Sequence, residues 1–367
     1  MTALRVGLVG TGGVAAFHAR SVLAHPQAEL VAVTDASRER AVDFAAAWGA
    51  PRVVDSLDEL LRDSALDVLL ICTPPGAHRA QAVAAFAAGV HVVVEKPPAA
   101  SLEELDDMRA AASAAGRRLA VVFQQRTGTA AAQVRELLRS GALGRPLVAV
   151  CQTLWYREPE YYDVPWRGSW STEGGGTTLG HGIHQIDLLA HLLGDWASVE
   201  GRLWRLDRDI ETEDASTATV LFANGVLASI ITSAVSPRQV SSLRIDTEKA
   251  TITVEHVYGH GHDDWSVTPA PGVGEDEAAG WALTGPEERS DHEPLLRDVF
   301  DALLTGADLP PTADEPARSI EIVAAIYASA SADGAVITPS DLATHPTHRR
   351  SFESPVLDLR TRAAALS

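Results

Sequence analysis

The stretch Arg5-Val-Gly-Leu-Val-Gly-Thr-Gly-Gly-Val-Ala15 decides the fold of the first part of the chain. Its apolar beginning is typical of a short buried strand, and its glycines lead directly into a helix predicted over residues 14–24. Glycines at such a turn permit a tight bend and close approach to the backbone, while the helix N-terminus favours a pyrophosphate. The stretch therefore predicts a dinucleotide-binding turn made by Gly10, Thr11, Gly12, Gly13 and Val14.

Apolar strands and helices alternate up to about residue 125. The predicted strands are residues 5–9, 29–34, 52–54, 68–72, 91–95 and 119–123, with helices at 14–24, 38–48, 57–62, 77–88 and 102–115. Continuous apolar strands that alternate with helices predict a parallel, doubly wound sheet covered on both faces. We therefore expect an α/β fold, with a Rossmann dinucleotide-binding domain over residues 1–125.

The remainder of the chain is rich in strands and predicts a second, α+β domain over residues 126–345. Its predicted strands are residues 147–154, 199–206, 215–222, 226–234, 239–246 and 250–255, and Asn224-Gly225 is a hairpin signal between two of them. Residues 259–293 are predicted to be loop, and helices at 294–304 and 315–330 are expected to close this domain. A tail at 346–367 could pack back on the first domain.

Composition limits the partners and the location. The chain has 367 residues, of which 46% are hydrophobic and 22% charged, and its formal net charge is −19. This charge argues against nucleic acid or an anionic membrane as a partner and favours a small neutral or polar substrate. With no long apolar run, no cleavable signal and two cysteines, we expect a cytoplasmic protein.

Two residues bear on the choice of dinucleotide. Asp35 ends the second predicted strand, where its carboxylate can accept hydrogen bonds from both ribose hydroxyls and would repel a 2′-phosphate. Arg38 lies close enough to accommodate that phosphate instead. We expect NAD, with NADP as the alternative.

Lys96 is notable because the chain otherwise uses arginine. Of its 30 basic residues, Lys96 and Lys249 are the two lysines. Lys96 and Glu95 follow a buried strand whose carboxyl end should face the ligand crevice. A lysine there can act as a base if its surroundings lower its pKa from about 10.4, whereas arginine does not deprotonate. The alternative is a surface ion pair between Lys96 and Glu95.

The stretch 178–194 predicts a helix that carries His181, His184 and His191. His181 and His184 can share one side of it, whereas His191 is expected to be packing or surface. A metal site would need convergent ligands, but His181, His184 and Asp187 drift around the axis. A second cluster (His256, His260, His262, Asp263, Asp264) fits a solvated loop. We therefore predict no functional metal.

The segment before this helix is rich in aromatic residues: Trp155, Tyr156, Tyr161, Tyr162, Trp166 and Trp170. Flat rings with polar rims suit a sugar, and Arg157, Arg167 and Glu173 are nearby polar candidates. We take Tyr156, Trp166 and Arg167 as substrate-binding candidates. Packing in the core or against another subunit is an equal alternative. Arg126 could contact substrate or serve a domain junction.

Several motifs together resemble one known family. Gly10-Thr-Gly-Gly-Val-Ala15, Cys72-Thr-Pro-Pro-Gly-Ala-His78 and Glu95-Lys-Pro97 resemble those of the glucose-fructose oxidoreductase / inositol dehydrogenase (Gfo/Idh/MocA) family. Gly174-Gly-Gly176, Gly182-Ile-His184, Ile186-Asp187 and residues 317–329 fit the second domain of that family. The resemblance covers nearly the whole chain, with the motifs in order.

This resemblance implies a substrate domain built on a large open, mostly antiparallel sheet that often serves oligomerisation, so we expect a homodimer or homotetramer. It implies that Thr73, Pro74 and His78 line the cofactor cleft, and that Glu95 and Lys96 lie at the nicotinamide. Lys96 would do acid/base work, and His184 matches the catalytic histidine of the family.

The sequence departs from the family at residue 180. An aspartate usually stands four residues before the catalytic histidine, but here that position is Gly180 and His181 lies beside it. A larger pocket, a water molecule, or His181 reaching in from the flank would each account for the change. Gly180 and His181 are therefore added to the substrate-binding candidates.

The resemblance implies an NAD(P)-dependent dehydrogenase or reductase that acts on a secondary alcohol of a sugar, glycoside or cyclitol, with Lys96 and His184 as an acid/base pair. Two alternatives stay open. One is glycoside cleavage through transient oxidation by tightly bound NAD. The other is a redox-silent sugar sensor on the same fold.

Overall fold

A computed structural model describes residues 3–63, 65–255, 258–311, 313, 317–353 and 359. The described residues form two compact units. The first unit draws on Met1–Ala99, Glu103–Gln124 and His292–Pro316, and the second on Ala100–Leu102, Gln125–Asp291 and Ala317–Ser367. The chain therefore passes between the units several times.

In chain order the strands are β1 (Leu4–Val9), β2 (Ala28–Thr34), β3 (Val68–Ile71), β4 (His91–Val94), β5 (Leu119–Val121), β6 (Pro146–Tyr156), β7 (Trp196–Trp204), β8 (Ala215–Phe222), β9 (Leu227–Ser233), β10 (Val235–Thr247), β11 (Ala250–Val254) and β12 (Trp265–Pro269). The helices are α1 (Ala15–Ala24), α2 (Arg38–Trp48), α3 (Leu57–Asp63), α4 (His78–Ala87), α5 (Leu102–Ala115), α6 (Thr129–Arg139), α7 (Trp170–Glu173), α8 (Ile183–Leu193), α9 (Glu275–Ala279), α10 (His292–Thr305), α11 (Ala317–Ser331), α12 (Pro339–Thr344) and α13 (Pro346–Arg350). None of the described helices is both long enough and apolar enough to cross a bilayer.

The first unit is built on a parallel sheet with the strand order β2-β1-β3-β4-β5. All four residues of β3 and most of those in β1, β2 and β4 are buried, as expected when helices cover both faces of a sheet. The predicted Rossmann-type α/β fold is confirmed. Residues 52–54, predicted as a strand, contribute an isolated bridge between Val33 and Val53.

Helix α10 belongs to the first unit, although the sequence-based boundaries put it in the second domain. The reason is packing. Leu295, Leu296, Val299 and Phe300 are fully buried in one hydrophobic cluster with β1, β3 and α1. The apolar face of α10 thus completes the core of the first unit.

The second unit is built on a seven-stranded sheet with the order β12-β11-β10-β6-β9-β8-β7. Its neighbours pair antiparallel, apart from the parallel pair β6–β9, so the predicted mostly antiparallel sheet is confirmed. Strand β12 and helix α9 lie inside 259–293, which was predicted to be loop. Each has five residues, too short for a clear periodic pattern amid Gly and Pro.

Helix α8 is the buried centre of the second unit. All eleven of its residues are buried, and a turn of π-helix at Thr178–Gly182 precedes it. The sequence predicted a helix through this stretch but not the wider first turn. Because α8 has no exposed face, its polar side chains need partners inside the protein.

The described part of the C-terminal tail groups with the second unit. Phe352 stacks on Tyr327 of α11, with ring centroids 5.3 Å apart and planes at 9°. Residues 354–358 and 360–367 lie outside the described residues, so packing of the tail on the first domain stays a prediction.

Candidate active site

The glycine turn at residues 10–13 has the backbone geometry that a pyrophosphate site requires. Gly10 has φ +88°, and a Cβ there would lie 2.8 Å from the carbonyl carbon of Cys72 and from the nitrogen of Thr73. By contrast, a Cβ on Gly12 or Gly13 would have no described atom within 4 Å. The turn is therefore locked against β3 at one end and open at the N-terminus of α1, which fits a dinucleotide.

Asp35 is tied to the glycine turn. Its Oδ2 accepts hydrogen bonds from the backbone nitrogen of Thr11 (2.7 Å) and from Thr11 Oγ1 (3.0 Å), and its Oδ1 accepts from Ser37 N (2.8 Å) and Arg40 (2.6 Å). Burial alone would raise the pKa of Asp35, but hydrogen bonds from Arg40, Ser37 and Thr11 outweigh it and lower that pKa. A charged carboxylate therefore stands beside the turn.

The guanidinium beside Asp35 is that of Arg40, not the expected Arg38. Arg38 forms an ion pair with Asp55 instead. Both arginines are exposed on the surface of α2. The sequence pointed to Arg38 because it is nearer in number, but residue 40 lies on the helix face that turns back to β2.

His78 joins the loops that follow β3 and β4. Its Nε2 lies 2.7 Å from the Thr73 oxygen and its Nδ1 lies 3.1 Å from the Pro97 oxygen. The ring is fully buried, and burial lowers the pKa of His78 despite these carbonyls. Thr73 Oγ1 donates to Gln81 (2.7 Å). These contacts fix the loop of Thr73 and Pro74, whose contact with a cofactor stays a prediction.

Glu95 is held by two histidines. Its Oε1 lies 2.7 Å from His18 Nε2 and 3.2 Å from His292 Nε2. Burial would raise the pKa of Glu95, but the hydrogen bonds from His18 and His292 hold it well below its usual range. Because Glu95 is only 5% exposed, it does not form the surface ion pair considered as an alternative. It instead braces the backbone of Lys96, whose nitrogen donates to Oε2 (3.2 Å).

His18, Glu95 and His292 also form a group with metal-ligand spacing, their ligand atoms lying within 4.8 Å of one another. An ionised carboxylate can only accept hydrogen bonds, so each imidazole uses the facing nitrogen as a donor. A protonated nitrogen has no lone pair for a metal. The group therefore works as a hydrogen-bond network, and the sequence did not indicate it because its members lie far apart in the chain.

The two glycines at the start of the His181–His184 segment differ in function. A Cβ on Gly182 would lie 2.5 Å from Thr232 Cγ2, so glycine is needed there for packing on β9. A Cβ on Gly180 would make only an ordinary contact, 3.5 Å from Glu173 Oε1. A close approach to the backbone thus occurs at Gly182, and it comes from the second unit itself.

His184 is buried at the first turn of α8. Its Nε2 lies 3.2 Å from the hydroxyl of Tyr258, and the two rings meet edge to face at 5.2 Å. His184 is 2% exposed and Tyr258 is 49% exposed, so the phenol connects the imidazole with the surface. Tyr258 was missed in the sequence because it stands alone in a polar stretch without a motif.

His181 is engaged by the aromatic segment. Its Nε2 lies 3.3 Å from Arg157 Nε and 3.1 Å from the Tyr161 hydroxyl, and its ring lies 5.0 Å from Trp155. A guanidinium can only donate hydrogen bonds, so His181 Nε2 is the acceptor and carries no proton. Beside Gly180 lies the carboxylate of Glu173.

The arginines of the aromatic segment stack on its rings. Arg157 lies 4.5 Å from the Trp155 centroid, and Arg167 lies 3.6 Å from that of Tyr161 and 4.5 Å from that of Trp166. Tyr156 lies under Arg208, 5.2 Å away. The candidates Tyr156, Trp166 and Arg167 are therefore all half-buried stacking partners, and their contact with a substrate stays a prediction.

Other polar residues of α8 are structural. Asp187 receives two hydrogen bonds from Arg126 (2.7 and 2.5 Å) and one from Ser319. Arg126 thus forms a buried ion pair with Asp187, and its contact with a substrate stays a prediction. Burial, together with the charges of Arg126 and other arginines, lowers the pKa of His191 to about 3.

Glu213 is a buried residue that the sequence analysis did not select. Its carboxylate accepts hydrogen bonds from Gly176 N (3.0 Å), Thr178 N (2.9 Å) and the Tyr327 hydroxyl (2.8 Å). Burial raises the pKa of Glu213. It fixes the glycine turn that leads into the π-helical turn and hence the direction in which α8 begins.

Known proteins are similar to most of this chain. The family model for the oxidoreductase family with an NAD-binding Rossmann fold matches residues 4–123, and the GFO/IDH/MocA C-terminal domain matches residues 131–253. The 1,5-anhydro-D-fructose reductase of Ensifer adhaerens is 32% identical over 191 residues, which cover 52% of this chain and 57% of that protein. The D-glucoside 3-dehydrogenase of Escherichia coli K12 is 30% identical over 280 residues, 70% of this chain and 78% of that protein.

A solved structure agrees in fold. The WlbA dehydrogenase from Bordetella pertussis, in complex with NADH and UDP-GlcNAcA, has a TM-score of 0.81 at 31% identity, covering 92% of this chain and 98% of that one. The chain spans 57% of the length of each of the first two curated relatives it matches.

Proposed function

Because the chain belongs to the GFO/IDH/MocA oxidoreductase family and begins with an NAD-binding Rossmann domain, we propose that it is an NAD-dependent dehydrogenase or reductase. Its substrate would carry a secondary alcohol on a sugar, glycoside or cyclitol. Relatives named as a D-glucoside 3-dehydrogenase and a 1,5-anhydro-D-fructose reductase support a carbohydrate.

One observation within the first unit carries this proposal. Gly10 packs against Cys72 and Thr73 at the end of β3, and Lys96 follows the end of the neighbouring strand β4. The carboxyl ends of parallel strands share one edge of the sheet, where ligands bind. The dinucleotide turn and a half-buried lysine therefore stand at the same edge.

The chemistry requires a hydride acceptor and a base. When bound, NAD⁺ would supply the hydride acceptor for oxidation of the carbinol carbon, and NADH would supply the hydride for the reverse reduction. Lys96 in its neutral form takes the hydroxyl proton as the carbonyl forms, and in its charged form returns it in the opposite direction. Glu95, anchored by His18 and His292, holds the backbone that carries the lysine.

His184 is the proposed partner of Lys96. Its hydrogen bond to Tyr258 gives its ring a route for a proton to a half-exposed phenol. Gly180, His181, Tyr156, Trp166 and Arg167 are proposed to contact the substrate. Gly180 and His181 are assigned from their place beside His184, where the sequence departs from the family, and Tyr156, Trp166 and Arg167 from their stacked arginine–aromatic contacts.

The test is steady-state NADH formation with a panel of sugars, glycosides and inositols. Net NADH with at least one of them is the expected result. Glycoside cleavage without net NADH would replace the proposal with transient oxidation by bound NAD. Saturable sugar binding without any turnover would replace it with a sugar sensor.

We also propose a cytoplasmic homodimer or homotetramer. Across neighbouring strands of the second-unit sheet, Val148 pairs with Leu227 and Leu227 pairs with Leu221. All three are apolar and at least 40% exposed, so they form a row on the open face of the sheet. Light scattering coupled to gel filtration would measure the mass, and a monomer would contradict the proposal.

A further inference from the structure

Two arginines flank a single tyrosine in the second unit. The guanidinium carbons of Arg157 and Arg167 lie 5.2 Å and 3.6 Å from the centre of the Tyr161 ring. Both side chains are partly buried. Two positive charges this close together repel each other, and partial burial reduces the water that screens them.

Arg167 uses none of its side-chain donors. Among the described residues, its guanidinium makes neither a hydrogen bond nor an ion pair, and its Nε is fully buried without a hydrogen-bond partner. Tyr161 and Trp166 hold the plane by stacking, so the group is preorganised. A buried N–H group without a hydrogen-bond acceptor costs free energy. A ligand with acceptor oxygens would form the missing hydrogen bonds and recover that free energy.

Arg157 also forms no ion pair with a carboxylate among the described residues. Its side chain donates to neutral acceptors, namely His181 Nε2 (3.3 Å), the Tyr156 oxygen (3.2 Å) and Gln239 Oε1 (3.5 Å). In the described part of the chain neither Arg157 nor Arg167 lies within 4.0 Å of a carboxylate oxygen, the distance that defines an ion pair.

Acidic groups near this pair have other partners or line the same cavity as Arg167. Glu173 Oε2 accepts from the backbone of Gly168 (2.6 Å). A cavity of about 310 Å³ beside Arg167 is also lined by Arg205, Asp209 and Glu211. This mixture of donors and acceptors suits a hydroxylated ligand with one anionic group better than a polyanion.

We propose that Arg167, with Arg157, binds an anionic substituent of the substrate, a carboxylate or a phosphate, so that the substrate is an acidic sugar. This inference rests on the proposed function and differs from the neutral substrate that the net charge favoured. The flat guanidinium fork matches the two oxygens of a carboxylate or phosphate. The net negative charge of the chain does not oppose binding of an anion at this site, because dissolved salt screens charges that lie more than about 10 Å away.

The experiment measures binding to the NADH-loaded protein by calorimetry. The probes are methyl β-D-glucuronide, methyl β-D-galacturonide and glucose 6-phosphate, against methyl β-D-glucoside and methyl β-D-galactoside as neutral counterparts. We expect an acidic probe to bind about tenfold or more tightly than its neutral counterpart. Comparing uronides with the phosphate separates the two sources of the anion.

Arg167→Gln should abolish this preference, and Arg167→Lys, which keeps the charge but loses the fork, should retain part of it. Arg244→Gln, at an exposed arginine on strand β10 of the same unit, is the matched control and should leave the preference unchanged. Melting temperatures show whether each variant is folded.

The inference fails if neutral sugars bind as tightly as acidic ones, if no acidic probe binds, or if the preference survives in Arg167→Gln. The two proposals can be told apart. NADH formation from neutral sugars alone would contradict the acidic substrate but support the proposed dehydrogenase activity. Acid-selective binding with no NADH from any sugar would overturn the proposed function instead.

Discussion

The carboxylate of Glu173 lies beside Gly180, because a Cβ added to Gly180 would be 3.5 Å from Glu173 Oε1. Glu173 is 8% exposed, and its other oxygen is held by the backbone nitrogen of Gly168. Residue 180 is where the family resemblance leads one to expect an aspartate. A carboxylate therefore already stands at this place, supplied from α7 rather than from the segment that carries His184.

Restoring an aspartate at residue 180 should harm the protein. In Gly180→Asp a second negative charge would lie against the buried Glu173, so we expect a lower melting temperature and no gain in activity. Gly180→Asn has nearly the same shape without the charge and should be much less destabilised. The difference in melting temperature between Gly180→Asp and Gly180→Asn at neutral pH checks the electrostatic cause. Higher activity in Gly180→Asp would show that Glu173 does not replace the aspartate.

Lys96→Arg should abolish turnover while cofactor binding largely survives. Arginine keeps the charge but does not release a proton, so kcat/KM should fall by about 10²–10⁴-fold. NADH affinity, measured by fluorescence titration, should change little. Lys249→Arg is the matched control, because Lys249 is an exposed lysine paired with Glu277. Substantial activity in Lys96→Arg would remove Lys96 from the mechanism.

Asp35 should determine the preference for NADH over NADPH. We expect the wild type to bind NADH more tightly, since the Asp35 carboxylate would repel a 2′-phosphate. Asp35→Ser releases Arg40 and should shift the affinity ratio toward NADPH. Asp55→Ser releases Arg38 instead and is the matched comparison. A larger shift in Asp55→Ser would identify Arg38 as the phosphate-binding arginine.

Breaking the pair between Arg126 and Asp187 should strongly destabilise the fold. Their side chains are 4% and 1% exposed, so Asp187→Asn leaves a guanidinium buried without its counter-charge. We expect a loss of about 3–5 kcal/mol in the free energy of unfolding. Urea denaturation measures it. Asp246→Asn, which breaks the exposed pair with Arg244, should change the urea midpoint little, and equal effects would contradict the role of burial.

Stability should fall as the pH drops below about 6.5, partly through His191. Its pKa is lowered to about 3 in the folded chain, so the unfolded chain takes up a proton in this range that the folded chain does not. Each such histidine can cost up to about 1.4 kcal/mol per pH unit. His191→Gln should show a shallower pH slope in urea denaturation than wild type. An unchanged slope in His191→Gln would contradict this role of the buried imidazole.

The sequence predicted what depends on local pattern. The alternation of buried strands with helices, and the glycines of residues 10–13, were enough to predict the parallel sheet and its turn. Lys96 was identified because its strand ends in Glu-Lys-Pro. None of this needed knowledge of distant contacts.

The sequence could not show which distant residues meet. His292 reaches Glu95 from nearly two hundred residues away, and Tyr258 reaches His184 from a stretch with no motif. Likewise Arg40 rather than Arg38 faces Asp35, because helix rotation, not distance in the chain, decides which side chain points at β2.

The return of α10 to the first unit has a consequence during synthesis. A ribosome that has released residues 1–124 has made the whole parallel sheet but not Leu295, Leu296 or Phe300, which belong to the same core. The apolar surface that these residues cover therefore stays uncovered until the intervening sheet of the second unit has been translated. The nascent cofactor-binding unit therefore cannot be completed early, and neither unit can be exchanged between genes by a single crossover.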